Sequence, residues 1–470
     1  MKKIRDIAAF LCAVMLLSTT MAVPVSANSA QTQWTGVDST GAIVLEKDSP
    51  IVVEKELLTF DIQEFPKNHY FELDDYLAYS GKVTAEYTFF NPADYTVTAT
   101  LLFPFGCEPG YASYEHYGKD TEKYEILING EAVEKTMRYT LSQGFDQFEL
   151  DEDLALLHDD YVEDAFYSLD LPVMKYVFMP SGVDSNTYGA ADAGFDMVRD
   201  DPDRRIYYVD QNGLHTQDDG DLRVHSGVEN GEAITVYVIG KDYAAFPEWK
   251  FYQDGGVEDG EEIEGTMTLE SREELSFRDL ALSKWNEESG VSEIDWYNAI
   301  VAMLTKFSDS TGSNLHLWDY GSFDISRFLM RWYEYEITLE PGRRIVNTVT
   351  APIYPAINSK WEPPIYEYTY LLSPAQTWAE FGRLDIVINT PYYMTQSGEG
   401  FEWQNPGYTA HLDGLPEGEL TFTLSSDKNP KEPVFTGYFY PEVLLIGAVL
   451  IVMILGTVVV IVRKKKSKKR

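Results

Sequence analysis

The stretch KVTAEYTFFNPADYTVTATLLF, residues 82–103, decides the fold class. Val83, Ala85, Tyr87 and Phe89 alternate with Thr84, Glu86, Thr88 and Phe90. After Asn91-Pro92-Ala93-Asp94 the alternation resumes, with Tyr95, Val97, Ala99, Leu101 and Phe103 set against Thr96, Thr98 and Thr100. A period of two places successive side chains on opposite faces of a strand, so each segment has a dry and a wet face. The interruption is a turn by its chemistry: proline fixes φ at the second position, and Asn91 and Asp94 can bond the local backbone. The spacing predicts a β-hairpin.

Working outward, shorter runs of the same kind occupy 124–128, ending at Asn129-Gly130, then 174–179, 205–209 and 234–239. Period two returns in Tyr333, Tyr335, Ile337 and Leu339, which lead into Pro341-Gly342, and later strands are expected over 366–371, 384–388 and 420–424. Residues 146–164 hold nine acidic residues with leucines at mixed spacing, which reads as a short acidic helix or loop. The islands 200–203 and 210–221 carry Pro202, Gly213 and Gly220 and read as exposed acidic loops. One segment has a different period. Ser271 with Glu274 has the spacing of a capping box, and Tyr297, Ile300, Val301, Leu304 and Phe307 fall on one helical face.

Both ends are unlike the middle. Lys2, Lys3 and Arg5 precede an apolar run, and Val25-Ser26-Ala27 suits signal-peptidase cleavage. Residues 443–462 contain no charge and are followed by Arg463, Lys464, Lys465, Lys466, Lys468, Lys469 and Arg470. Such a run spans roughly 30 Å as a helix, with its basic flank on the cytoplasmic side. The expected topology is a single-pass membrane protein with its N-terminus outside. Tyr438, Phe439 and Tyr440 would form an aromatic belt at the outer surface.

The whole chain carries −39; the leader contributes +2 (Lys2, Lys3 and Arg5 against Asp6) and the tail +7, so the segment between them carries −48. Such a charge repels nucleic acid and attracts cations or basic partners. Cys12 leaves with the leader, and Cys107 alone cannot form an internal disulfide, which suits a bacterial surface better than a large eukaryotic secreted domain. No His motif accompanies Cys107, so its expected role is that of an inert thiol.

The strand-turn-strand of residues 86–106, with its Asn91-Pro92 turn and Phe103-Pro104 step, is followed by YEILINGEAVEKTMRY at 124–139. Together they resemble the vault/inter-alpha-trypsin (VIT) domain. They look closer to an exported bacterial β-sandwich family of unknown function. In that family the later pieces would be Leu339-Glu340-Pro341-Gly342-Arg343, Tyr368-Thr369-Tyr370-Leu371-Leu372, Trp378 and residues 384–388. The resemblance implies a sandwich fold and supplies no catalytic residue.

Several constellations invite chemistry. Asp309-Ser310-Thr311-Gly312-Ser313 has the form of a von Willebrand A metal loop, yet it follows a helical pattern and reads as a helix C-terminus. Asp210, Asn212, Asp218, Asp219 and Asp221 gather oxygen ligands suited to calcium, without EF-hand spacing. Ser425-Ser426-Asp427-Lys428 meets Ser-x-x-Lys but lacks the companion motifs. The seven histidines show no zinc motif. Trp318 and Trp361, in Gly- or Pro-containing loops, are the tryptophans expected to be exposed and able to stack on sugars.

The expectation is therefore a mainly β chain, with a β-sandwich-type ectodomain of two β subdomains, a helical segment and one C-terminal transmembrane helix. Its divisions are a signal peptide at 1–27, a lead-in at 28–48, a β-sandwich-like domain with acidic loops at 49–270 and a helical segment at 271–312. A second β region at 313–428, a juxtamembrane linker at 429–442, the membrane helix at 443–462 and a basic cytoplasmic tail at 463–470 follow. The leading function is non-catalytic: an acidic surface that binds a protein or cation partner near the cell membrane, with no catalytic or cofactor-binding residue assigned. The alternatives are a membrane-tethered hydrolase acting on glycans and an accessory subunit of a membrane complex.

Overall fold

The structure is a computed structural model. Its described residues lie between 33 and 431, and the longer stretches outside the description are 68–77, 105–123, 142–149, 185–190 and 312–324. The expected leader, the membrane helix at 443–462, the basic tail, Cys107 and Trp318 lie outside the described residues. Among those residues, no helix is long and apolar enough to cross a membrane. The chain divides into two units. One holds Trp34–Ile357 and Tyr366–Ser425; the other includes Asn358–Ile365 and the residues from Ser426 onward. In the second unit Glu362 and Lys431 form an antiparallel bridge, with N···O distances of 2.9 and 3.0 Å.

The larger unit is mainly β, built of several antiparallel sheets with few helices. Its widest sheet orders the strands Glu402–Gln404, Gly407–Leu412, Phe381–Asn389, Val52–Asp61, Lys82–Phe90, Arg344–Pro352, Glu125–Ile128 and Glu131–Ala132. Only Val52–Asp61 and Phe381–Asn389 run parallel in it. A second sheet orders Ile43–Val44, Val97–Pro104, Leu329–Leu339 and Thr136–Leu141, and a third pairs Ile365–Leu371 with Leu420–Ser425 and then Tyr393–Ser397. The apolar faces of all three meet in one core, which contains Phe60, Tyr87, Phe89, Leu101, Tyr335, Tyr370, Trp378 and Ile386.

The strands at 82–103 are not a hairpin. Lys82–Phe90 pairs with Val52–Asp61 and Arg344–Pro352 in the widest sheet, whereas Val97–Pro104 pairs with Leu329–Leu339 in the second. The turn between them carries the chain from one sheet to the other. Pro341-Gly342 does the same for the strands Leu329–Leu339 and Arg344–Pro352, so two arches lie side by side. Asn91 joins them. It is fully buried, its Nδ2 donates to the Tyr95 and Leu339 carbonyls at 2.9 and 3.0 Å, and its Oδ1 accepts from the Ala93 amide at 2.9 Å. Alternation alone cannot separate a hairpin from an arch, because both bury every second residue in the same core.

Two further sheets share another core. One orders Arg204–Tyr208, Ile234–Gly240, Pro172–Ser181 and Thr266–Ser276. The other orders Gly213–Thr216, Leu222–Gly227, Ala191–Met197, Lys250–Gln253 and Glu262–Ile263. Tyr176, Phe178, Phe195, Tyr208, Val236 and Val238 fill the space between them. The opposite face of the first sheet supplies Val173, Tyr207 and Ile239 to a third cluster formed with the helices Phe277–Ala281 and Glu293–Thr311. Burial on both faces explains why ITVYVIG, Ile234–Gly240, is nearly all apolar.

The helix Glu293–Thr311 buries Tyr297, Ile300, Val301 and Leu304, the face that the periodicity selected. The predicted capping box at Ser271 is corrected. Ser271 sits in the strand Thr266–Ser276, opposite Val177, and the box belongs to Ser276 and Asp279 at the start of Phe277–Ala281. The acidic stretch at 146–164 contains the helix Leu150–Leu154, and Leu154 and Leu157 pack against Leu102 and Trp332.

Candidate functional site

An accessible constellation lies along residues 262–276, a stretch that forms the margin of two sheets in succession. Glu262–Ile263 pairs with Lys250–Gln253, and Thr266–Ser276 then pairs with Pro172–Ser181. Gly265 stands at the crossing, where a Cβ atom would lie 2.5 Å from the Phe251 ring. Glycine is required there by contact, since Phe251 is itself buried in the core between the sheets. Opposite the crossing, Gly182 turns with φ of +74°.

A groove of about 460 Å³ opens at this crossing, lined by Gly182, Trp249, Lys250, Phe251 and residues 262–266. Its surface is mainly polar, with Trp249 and Phe251 as its aromatic members. Trp249 packs edge-on against Phe178 and Phe195, with ring centroids 5.2 and 5.0 Å away. The Trp249 Nε1 group is buried without a hydrogen-bond partner among the described residues. The rim is charged. Lys250 Nζ lies 3.5 Å from Asp196 and 3.6 Å from Glu262. Burial raises the Asp196 carboxyl, but Arg223, which donates to both its oxygens at 2.7 and 2.8 Å, more than offsets this and holds it below the usual range.

Beyond the groove, Thr266–Ser276 is, among the described residues, the terminal strand of its sheet. Thr268, Leu269, Glu270, Ser271, Glu273 and Glu274 are exposed along it, with Leu269 at 48%. Arg272 is the basic residue of this strand, and it is turned back to Asp242 and the Tyr176 hydroxyl. With Glu262 and Glu264, also exposed, five carboxylates therefore follow one strand path. A terminal strand presents unpaired backbone donors and acceptors, and exposed carboxylates along it repel another acidic chain and attract a basic one.

The residues singled out in the sequence lie elsewhere. Asp210 and Asn212 precede the strand Gly213–Thr216, while Asp218, Asp219 and Asp221 follow it, so about 13 Å of strand divides these candidate calcium ligands. Among the described residues, no three His, Cys, Asp or Glu side chains are placed to hold a metal ion. The five oxygen-bearing residues are therefore not gathered around one point. Asp309 and Ser310 fall in the helix Glu293–Thr311, in agreement with a helix end, and Gly312 and Ser313 lie outside the described residues. Ser425 is fully buried at the end of Leu420–Ser425, closed to a substrate. Trp361 is half-buried, whereas Trp403, 54% exposed on the marginal strand Glu402–Gln404, escaped notice.

The margin at 262–276 was also missed, for a physical reason. An exposed terminal strand has little apolar alternation to reveal it, and Ser-x-x-Glu in Ser271-Arg272-Glu273-Glu274 imitates a helix start.

No known family profile matches the chain, and no curated protein matches it in sequence. Among solved structures, a Legionella pneumophila protein provisionally described as nutrient binding is similar, with a TM-score of 0.34 and 10% identity over 84% of this chain and 72% of that one. The likeness assigns no family.

Proposed function

We propose that this chain is a non-catalytic binding protein of a bacterial cell surface, which holds a basic, extended segment of a partner along the acidic strand Thr266–Ser276. The observation that carries the reading is the run of exposed carboxylates on a terminal strand beside the groove that Trp249 lines. Backbone bonds to the strand would supply affinity, and the carboxylates and the Trp249 groove would supply selectivity. The charge-free run at 443–462 and its basic flank favour a single-pass tether with the binding face outside. Membership of the exported β-sandwich family is supported by Asn91, Trp378 and the strand Phe381–Asn389, which are gathered around one core.

The test uses the full-length protein in nonionic detergent and a labelled peptide of alternating lysine and valine. Saturable binding that weakens in Glu270→Lys/Glu273→Lys, and in salt above about 0.5 M, is the expected result. Binding unchanged by the charge reversal would sink the proposal.

Glycan hydrolysis has one observation in its favour. Glu262 and Glu264 lie two residues apart, about 7 Å between Cα atoms, beside Trp249. Both are exposed on the strand path and not enclosed in a cleft, which counts against the reading. Retention of any glycosidase activity in the Glu262→Gln/Glu264→Gln double variant would end that reading. The accessory-subunit reading is tested by crosslinked recovery from membranes at native abundance.

A further inference from the structure

The outer face of the widest sheet carries a second constellation, far in character from the acidic margin. On Phe381–Asn389, Leu384, Ile386 and Ile388 are fully buried in the core, which turns Arg383 and Asp385 to the other face. Lys55 comes from the neighbouring strand Val52–Asp61, opposite Arg383, and His411 from Gly407–Leu412, opposite Asp385. Gly382 lets the two parallel strands meet closely, since a Cβ there would lie 2.2 Å from the Glu54 carbonyl oxygen.

Asp385 is 7% exposed and is bonded on both oxygens. Its Oδ1 is 2.8 Å from His411 Nδ1, while Oδ2 takes Arg383 at 2.9 Å and Lys55 at 3.2 Å. An ionised carboxylate only accepts, so Nδ1 carries the proton and Nε2 faces outward. One carboxylate thus orders three basic groups and neutralises a single charge. Their side chains are 37% (Lys55), 55% (Arg383) and 67% (His411) exposed, which leaves guanidinium, ammonium and imidazole positions open to solvent. Each of the other ion-pair groups set out above has carboxylates at least equal to its cations; here the cations exceed them.

We infer that Lys55, Arg383 and His411, ordered by Asp385, form a binding site for a phosphate-class oxyanion, either free or on a lipid headgroup. The three groups stand on three adjacent strands, so little side-chain freedom is lost on binding, and guanidinium geometry suits two oxygens at once.

The experiment takes the full-length protein in nonionic detergent and titrates it with inorganic phosphate. In parallel, the protein in nanodiscs is mixed with vesicles of phosphatidylglycerol or of phosphatidylcholine alone. Saturable phosphate binding, weakened at least about tenfold in both Arg383→Gln and Lys55→Gln, is expected for a free anion. Arg383-dependent capture of phosphatidylglycerol vesicles without phosphate binding assigns the same site to a headgroup. Binding to neither probe, or binding that both substitutions leave unchanged, overturns the inference.

Discussion

Tyr370 donates its hydroxyl to Glu56 Oε1 at 3.3 Å, a bond between residues 314 positions apart in the middle of the main core. The Tyr87 hydroxyl lies 3.3 Å from that of Tyr370 and accepts from the Ala42 amide at 3.2 Å. Glu56 is 1% exposed, and its Oε2 has no hydrogen-bond partner among the described residues. Burial pushes the Glu56 carboxyl up to about 7, against the opposing pull of the Tyr87 and Tyr370 hydroxyls.

A pH dependence of stability follows. The folded value lies above the ordinary 4.5, so the native state binds this proton more tightly than the unfolded chain does. The contribution is complete below about pH 4.5 and is lost as pH rises through about 7, amounting to roughly 3 kcal/mol. Glu56→Gln removes the titration and keeps the shape. Its stability relative to the native protein should therefore climb between pH 4.5 and 8 in chemical denaturation. Parallel curves for the two proteins would show that Glu56 does not titrate there.

Asn91 makes a different prediction, because its donor and acceptor ends have separate tasks. Asn91→Ala loses three side-chain bonds and strands the Leu339 and Tyr95 carbonyls, a cost of about 2–3 kcal/mol. Asn91→Asp keeps the bond from Ala93 but turns a carboxylate oxygen toward those two carbonyls in a fully buried site. Aspartate should therefore be worse than alanine despite its closer shape. Equal midpoints in urea, or an aspartate variant above alanine, would contradict the arch-joining role.

Much of this architecture was legible because the signal was burial on one face. Every second residue of Lys82–Phe90 and Val97–Pro104 is inside, as the alternation required, and the helical face at Tyr297, Ile300, Val301 and Leu304 was equally clear. Partners were not legible. Glu86 pairs with Thr348 and Thr98 with Thr338 across more than 200 positions, and local chemistry does not encode which distant strand lies alongside. The site suffered more than the fold. Lys55, Arg383 and His411 are ordinary surface residues in sequence, and only strand pairing puts them around Asp385.

Trp378 combines a ring stack with a hydrogen bond. Its ring lies against Phe89 with centroids 4.4 Å apart, and its Nε1 donates to the Ala42 carbonyl at 3.0 Å. Trp378→Ala should cost about 3–5 kcal/mol through the cavity and the stranded carbonyl. Trp378→Phe preserves part of the stack and loses the donor, so an intermediate cost is expected, near 1–3 kcal/mol. Thermal denaturation of the two variants checks the order, and a phenylalanine variant as damaged as alanine would make the hydrogen bond, not the packing, the dominant contribution.

Gly265 links the groove to the core beneath it. A methyl group there meets the Phe251 ring at 2.5 Å, too close for any contact, and Phe251 is 4% exposed with little room to retreat. Gly265→Ala should therefore cost about 1–3 kcal/mol as the ring is displaced. Gly182 offers the contrasting case across the same groove. Its φ of +74° disfavours a side chain, but no atom lies within 4 Å of the added Cβ, so Gly182→Ala costs only about 1 kcal/mol and leaves the groove wall in place. If the groove takes part in binding, Gly265→Ala weakens the lysine-valine peptide by more than Gly182→Ala does, at a temperature where denaturation shows both variants fully folded. Equal affinities would confine the binding to the strand Thr266–Ser276 and remove the groove from it.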